Sequence, residues 1–590
     1  METANDDNVI VTKIRAIDED GKLETIELEF EKNVKHEEIA LGFDETVKHK
    51  EFDLEAILSD LGEFGRFQIF IYSLTILPVL LISCLGLSYI FTAGQLEYRC
   101  KIPECESNPI DYSPKWIANA IPFEDEAPVD NCMRYKYNHH NQSDNLSSFC
   151  PAIYFNQSII EKCNDFVYKT DEDTILSAFN LTCDDNHWKL TLIGTLKMSA
   201  ELIMLPVSGL ISDRFGRRTV VICNFALTGV LGVLISFSWN YWMFAILEFL
   251  TALVASGSYM TIFILGMELV GRKKRAIGSV IISFVFSVGQ VVLGLIAMYV
   301  RKFRILQRII YIPTFLVLSY IWVIPESIRW LLSKGRNREA VHVIQRAAKI
   351  NRVTLSEKSV NAMHDCSSGA VNAEETGGNF MVITKSRILS LRLINCCFCW
   401  FTNGFVYYGL SVQSVVLGGN KYVNFIMVSV GEIPAVALTY VLLQRVGRRW
   451  TLCCSLIVAG IVCLLSELTP NTDSSDVIRL LLFFIGKCSI SVSFYVLYVY
   501  TTELYPTFLR QSLMGICSAF GFIGSMLAPQ TPLLARILPS LTLLLFGSVS
   551  ILSGILVTNF PETFNIKLPD TIEEAENIGK SNEVTKDNIN

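Results

Sequence analysis

The chain has 590 residues, of which 51% are hydrophobic and only 18% charged, and its formal net charge is −7. The apolar residues come in long blocks, which excludes a string of ordinary soluble domains and makes lipid the solvent for much of the chain. The negative charge sits largely in the polar ends and so points to no particular partner. No nucleic-acid signature, nucleophile motif, nucleotide-binding loop or metal-ligand spacing supports an enzyme or a cofactor.

In chain order, the first 50 residues are polar and acidic and no apolar segment opens the chain, so no cleavable signal peptide is expected and residues 1–66 are expected to form a cytosolic N-terminal segment. Blocks of bilayer length then follow at 67–95, 188–210, 219–237, 241–267, 276–300, 309–325, 390–412, 421–443, 451–466, 477–502, 512–535 and 538–558. Only helices and closed barrels can span lipid, so these blocks predict an all-α membrane protein of twelve transmembrane helices.

The long loop after the first span, 96–187, carries four Asn-x-Ser/Thr sites, at Asn141, Asn145, Asn156 and Asn180. It also holds six of the 17 cysteines: Cys100, Cys105, Cys132, Cys150, Cys163 and Cys183. Both features predict an extracellular, glycosylated loop with three disulfides, whose connectivity stays open among about 15 possibilities. The remaining cysteines fall mostly in spans and read as small apolar filler rather than metal ligands. Basic clusters follow the second, fourth and eighth spans, which places those loops in the cytosol. Arg301, Lys302, Arg304 and Arg308, after the fifth span, break the rule.

The chain repeats itself. Gly216-Arg217-Arg218 returns as Gly447-Arg448-Arg449, 231 residues on. Glu268-Leu269 with Arg275 returns as Glu503-Leu504 with Arg510, and Pro325-Glu326-Ser327 returns as Pro561-Glu562-Thr563. Three motifs in one order define two pseudo-symmetric six-helix bundles, 67–325 and 390–558, joined by a cytosolic linker, 326–389, and followed by an acidic cytosolic tail, 559–590. Twin bundles can rock about a midplane site and open it to each side in turn, so the organisation predicts a transporter.

Gly209-x-x-x-Asp213-Arg214-x-Gly216-Arg217-Arg218 matches the signature of the major facilitator superfamily. Asp213, Arg214, Arg217, Arg218, Glu268 and Arg275, and in the second half Arg448, Arg449, Glu503 and Arg510, are the expected gating charges that hold the cytosolic side shut. Gln444 stands in the second half where Asp213 stands in the first, so the second latch is expected to be the weaker.

Within that superfamily the chain resembles the organic ion transporter family of solute carriers, whose branches carry organic cations, carnitine-like zwitterions and organic anions. The resemblance runs from 52 to 576. It rests on Gly62-Glu-Phe-Gly-Arg-Phe-Gln68, the cysteine-rich loop, Pro325-Glu-Ser-Ile-Arg-Trp-Leu-Leu332, Tyr407-Tyr-Gly-Leu410, Glu432-Ile-Pro434, Glu503-Leu-Tyr-Pro-Thr-Phe-Leu-Arg510 and Leu568-Pro-Asp-Thr-Ile-Glu573. It implies a substrate cavity with Glu432 as its acidic group and Tyr259, Trp400, Tyr407, Phe494 and Tyr495 as aromatic walls suited to ammonium groups. Phe522 stands where cation carriers of the family hold an Asp and anion carriers an Arg. Val436 stands where anion carriers tend to place a Lys, which disfavours anions. Lys487 could receive a carboxylate, frame a zwitterion with Glu432, or neutralise it.

Lys197 and Glu201, four apart in the second span, either neutralise one another or lie on the substrate or coupling path. The first span carries no carboxylate between 67 and 95, so potential-driven uptake is expected rather than proton symport. The resulting expectation is a plasma-membrane carrier of small organic cations or zwitterions, working by alternating access with both termini cytosolic. Its partners are the substrate and the bilayer. The alternatives are a carrier of organic anions or sugars, or a family member that binds a ligand without transporting it.

Overall fold

The structure, a computed structural model, describes residues 65–124, 127–128, 131–138, 150–268, 275–354, 386–470, 473–506, 509–538, 540–564 and 571–578, with three strands within 5–31 and single positions beside these segments. Two units are distinguished, 1–53 and 54–590. The first holds an antiparallel sheet of β1 (Asn5–Asp6), β2 (Val9–Ile17) and β3 (Leu23–Glu31) in that order. Its register sets Ile10 opposite Phe30, Thr12 opposite Leu28 and Ile14 opposite Ile26. The period-two alternation Ile26-Glu-Leu-Glu-Phe30 encodes this sheet, which attention to acidic content alone overlooks.

The second unit holds α1 (Arg66–Thr92), α2 (Asp184–Phe215), α3 (Arg217–Ile235), α4 (Tyr241–Glu268), α5 (Arg275–Tyr299) and α6 (Phe303–Val323). After the linker come α7 (Arg387–Ser414), α8 (Lys421–Arg445), α9 (Arg448–Leu468), α10 (Asp473–Leu504), α11 (Arg510–Leu527, continued by short turns to Ile537) and α12 (Leu541–Val557). Eleven are long and apolar enough to cross a bilayer, and α12 is shorter, with 17 residues. The halves pack alike. In the first, α1 lies on α5, α2 on α4, and α3 on α4 and α6; in the second, α7 lies on α11, α8 on α10, and α9 on α10 and α12. Across the seam α2 meets α11 and α5 meets α8, the pairings that the same repeat predicts.

The repeated Gly-Arg-Arg has a backbone reason. Gly216 and Gly447 turn the chain at φ 95° and 93°, where a side chain is strained, and a Cβ at either would run into Glu326 or Glu562. Those carboxylates accept from the first backbone N–H groups of the next helix. Glu326 takes Arg218 N at 3.1 Å, and Glu562 takes Arg448 N and Arg449 N at 2.9 and 3.1 Å. The Pro-Glu-Ser and Pro-Glu-Thr motifs are therefore helix N-terminal anion caps, a role the sequence reading did not assign.

The loop between α1 and α2 is tied by Cys100–Cys163, Cys105–Cys150 and Cys132–Cys183 around a small core that includes Ile102, Ile121 and Phe155. Asn156 and Asn180 are exposed on it, while Asn141 and Asn145 lie outside the described residues. Arg304 and Arg308, which break the positive-inside pattern, bind the Ser236 carbonyl (3.3 Å) and hydroxyl (3.0 Å) just past the α3 C-terminus, where the helix dipole favours cations. Local capping thus accounts for two of the four basic residues in the exception. Replacing Cys132 and Cys183 by Ser should cost about 2–5 kcal/mol by freeing the loop from the start of α2. A lower thermal midpoint of the purified protein, insensitive to reductant at that bridge, would be the measured result.

Candidate substrate site and gates

Glu432 sits where α8 breaks. Pro434 has no backbone N–H, and the helix resolves into Lys421–Val430 and Glu432–Arg445 with Gly431 between them. The carboxylate is 1% exposed and saturated with donors. Lys487 Nζ lies 3.0 Å from Oε1, and the Tyr407 hydroxyl donates to Oε1 at 2.7 Å. Ser287 Oγ and Gln290 Nε2 of α5 donate to Oε2 at 3.1 and 2.9 Å. Lys487, fully buried, also donates to the Tyr407 carbonyl (3.1 Å) and Ser411 Oγ (2.7 Å), and its ammonium lies 3.2 Å from the Tyr407 ring centroid. Of the arrangements open to Glu432 and Lys487, direct pairing is the one present. Because α5 belongs to the first half and α7, α8 and α10 to the second, this network crosses the seam.

Half-buried aromatic rings surround it. Tyr407 stacks on Phe494 (5.6 Å between centroids), Phe494 meets Tyr498 edge-on (5.3 Å), and Tyr259 meets Phe286 edge-on (5.6 Å). Trp400 is buried behind them, 5.9 Å from Phe494, with its indole N–H donated to Thr501 Oγ1 at 3.0 Å. Tyr495 interacts electrostatically with Tyr259 and, across the α8–α10 contact, with Glu432. Phe522 lies half-buried on α11, one turn from Met526.

The Lys197–Glu201 pairing expected from i,i+4 spacing is not formed. Lys197 reaches instead to Glu248 of α4 at 3.3 Å, to the Leu85 carbonyl at 2.8 Å and to Ser88 Oγ at 2.9 Å. Glu248 also accepts from Gln307 of α6 at 2.8 Å. A buried ammonium takes the site with most acceptors, and the α1–α4 wall offers three where its own helix offers one.

At the opposite end from the large loop, each motif network closes within its own half. Arg217 pairs with Asp213 (2.8 Å) and Glu268 (3.4 Å), and Arg218 donates to the Ile321 carbonyl. Arg448 holds Glu503 through three contacts of 3.1–3.3 Å, and Arg449 donates to the Thr558 carbonyl. With Gln444 in place of an acidic residue, the second latch among the described residues rests on Arg448–Glu503 alone, while the first has both Asp213 and Glu268 against Arg217. Asp213 is 66% exposed and adds little in water, and the Arg448–Glu503 contact, at 3.1 Å, is closer than Arg217–Glu268 at 3.4 Å. Glu503 pairs with Arg448 rather than Arg510, whose Nε and one terminal nitrogen are buried without a partner among the described residues. Arg214 is exposed, and the Arg275 side chain lies outside the described residues.

Near the large loop, polar contacts instead join the halves. Gln530 of α11 donates to Thr195 Oγ1 (2.6 Å) and accepts from Thr191 Oγ1 (3.0 Å), and Thr195 donates to the Met526 carbonyl at 3.0 Å. Arg536 pairs with Asp184, and Lys421 with Glu172. Phe91 packs on Tyr422 and Phe425. None of these seals was read from the sequence, because each joins residues more than 200 apart with no motif to mark them.

Two six-helix bundles in contact at one end, with a polar and aromatic seam between them, define a membrane carrier of the alternating-access class. The model of the Major Facilitator Superfamily matches residues 166–529 and 424–574. Solute carrier family 22 member 3 of Rattus norvegicus is 31% identical over 89% of this chain and 96% of its own. Organic cation transporter protein of Drosophila melanogaster is 30% identical over 89% and 94%. Organic cation/carnitine transporter 2 of Homo sapiens is 30% identical over 88% and 94%. Among solved structures, the inward open conformation of the E. coli xylose transporter XylE aligns with a TM-score of 0.52 at 17% identity, covering 67% of this chain and 92% of that one, which is a likeness of fold. The chain belongs to the major facilitator superfamily and, within it, to solute carrier family 22. It is a multi-pass membrane transporter of small molecules, not an enzyme.

Proposed function

We propose that this transporter carries small organic cations, moving them by alternating access through a site between the halves. The observation that carries this reading is the cluster of aromatic side chains from both halves, Tyr259 and Phe286 on one side and Tyr407, Phe494 and Tyr498 on the other. Aromatic faces attract ammonium groups by about 0.5–2 kcal/mol each, most strongly where water is excluded. Tyr259, Tyr407, Phe494 and Tyr495 form the proposed wall, Trp400 backs it, and Phe522 closes it from α11. In this reading Glu432 and Lys487 hold Tyr407 in place and link the wall to α5. Relatives named as organic cation transporters support the substrate class.

The sidedness follows the same reading. The disulfide-bonded, sequon-bearing loop faces outside, and the motif networks, linker and both termini face the cytosol. Polar seals concentrated at the loop end then correspond to an arrangement closed to the outside. The exposed sequons and disulfides support residence in the plasma membrane.

The test is uptake of labelled tetraethylammonium into oocytes at resting and depolarised potentials. Saturable uptake that falls on depolarisation is expected, since one charge gains about 2.3 kcal/mol per 100 mV. Uptake equal to that of water-injected cells, with the protein shown at the surface, would refute the cation reading.

A further inference from the structure

We infer that Glu201, on α2, is the charged anchor that recognises the ammonium group of the substrate. Away from the helix ends, the described spans hold Lys197, Glu201, Glu248, Glu432 and Lys487. Lys197 is committed to Glu248 and Lys487 to Glu432, both within 4% of full burial. Glu201 alone is left without a hydrogen bond or ion pair among the described residues, so with all five ionised the membrane interior carries one uncompensated negative charge. A carboxylate in lipid is costly, and a chain that keeps one unpaired gives it something to bind.

The geometry points it at the seam. On α2 the exposed stripe runs through Ile203, Val207 and Leu210. At 3.6 residues per turn Glu201 lies roughly 160° from Ile203, on the side that carries the buried Gly194 contact and Ser208. Glu201 is half-buried there. It interacts electrostatically with the phenols of Tyr89 on α1 and Tyr408 on α7, one from each half. The Tyr89 hydroxyl is itself buried and has no hydrogen-bond partner among the described residues.

The seal between α2 and α11 fixes the depth. Thr191 and Thr195 pair with Gln530 and Met526. Continuing that antiparallel register one turn inward brings Ser199 level with Phe522. Glu201 follows two residues later, about 9 Å below Thr195. It therefore sits beneath the closed outer seal, beside Tyr89 of α1 and Tyr408 of α7. A carboxylate with two tyrosines there can hold an organic ammonium by charge and by ring faces together.

This inference rests on the cation-carrier reading, and the experiment separates the two. Labelled tetraethylammonium uptake is measured over a concentration series for wild type, Glu201→Gln and Glu201→Asp, each normalised to surface-labelled protein. Glu201→Gln should raise KM by about tenfold or more, equivalent to about 1.4 kcal/mol per tenfold, while Glu201→Asp, which keeps the charge, stays within about threefold. Competition by choline and by its uncharged carbon isostere dimethylbutanol provides the second readout. Wild type should prefer choline by about tenfold, and Glu201→Gln should lose that preference. A wild type that takes up no cation defeats the cation reading and this inference with it. Saturable wild-type uptake with an unchanged KM and unchanged choline preference in Glu201→Gln defeats this inference alone, and so does Glu201→Asp as impaired as Glu201→Gln.

Discussion

Lys487→Met is expected to destabilise the protein by about 3–5 kcal/mol, and adding Glu432→Gln to it is expected to restore most of that loss. Both side chains are essentially inaccessible to water, and the charges lie 3.0 Å apart. Removing the ammonium leaves a carboxylate at the seam with only the neutral donors of Tyr407, Ser287 and Gln290. Neutralising both partners removes the penalty and leaves an amide that can still accept from Tyr407. Thermal unfolding of the single and double variants, as a double-mutant cycle, measures the coupling directly. A double-variant loss equal to the sum of the two single-variant losses would show that the pair is not coupled. Transport is a separate readout: the double variant should fold, yet move substrate poorly, because Gln290 and Ser287 lose the charged acceptor that ties α5 to α8.

Gly194→Leu should reduce transport by about tenfold or more by opening the seam between α2 and α11. A Cβ at Gly194 would lie 2.6 Å from Pro529 Cβ of α11 and 2.6 Å from Tyr89 Cε2 of α1. Interiors are close-packed, so a branched side chain at that point must push α2 and α11 apart rather than be absorbed. The Thr191–Gln530 and Thr195–Gln530 hydrogen bonds cannot then form, and the outer seal stays open. A cysteine introduced at Thr195 should react faster with a membrane-impermeant thiol reagent in this background than in the otherwise unaltered protein. Unchanged reactivity together with lost transport would place the damage elsewhere than in the seal.

The candidate site was legible only in part, and the difference is physical. Aromatic residues and Glu432 could be picked out because a polar or aromatic side chain in a span has few roles, and the resemblance supplied positions. Their partners could not. Spacing along one helix shows which side chains share a face, so Lys197 and Glu201 look like a pair. The choice between Glu201 and Glu248 depends on which neighbouring helix brings acceptors within about 3 Å, and that is set by packing. The same holds for Arg448, whose Glu503 partner lies on the next helix, and for the six loop cysteines, whose spacing allows many pairings of which the fold selects one.

By itself the sequence determined the number and length of the spans, the twin halves, the cysteine-rich loop and the repeated Gly-Arg-Arg turns. Those features follow from local chemistry: apolar runs of bilayer length, clustered cysteines, and a glycine where φ is positive, whereas the glutamates that cap the next helices come from more than 100 residues away. Only the tertiary structure decided how the intramembrane charges pair, where the halves seal against one another and which carboxylate is left over. In a medium of low dielectric the energy of a charge depends on the few groups within contact distance. Those groups come from helices hundreds of residues away.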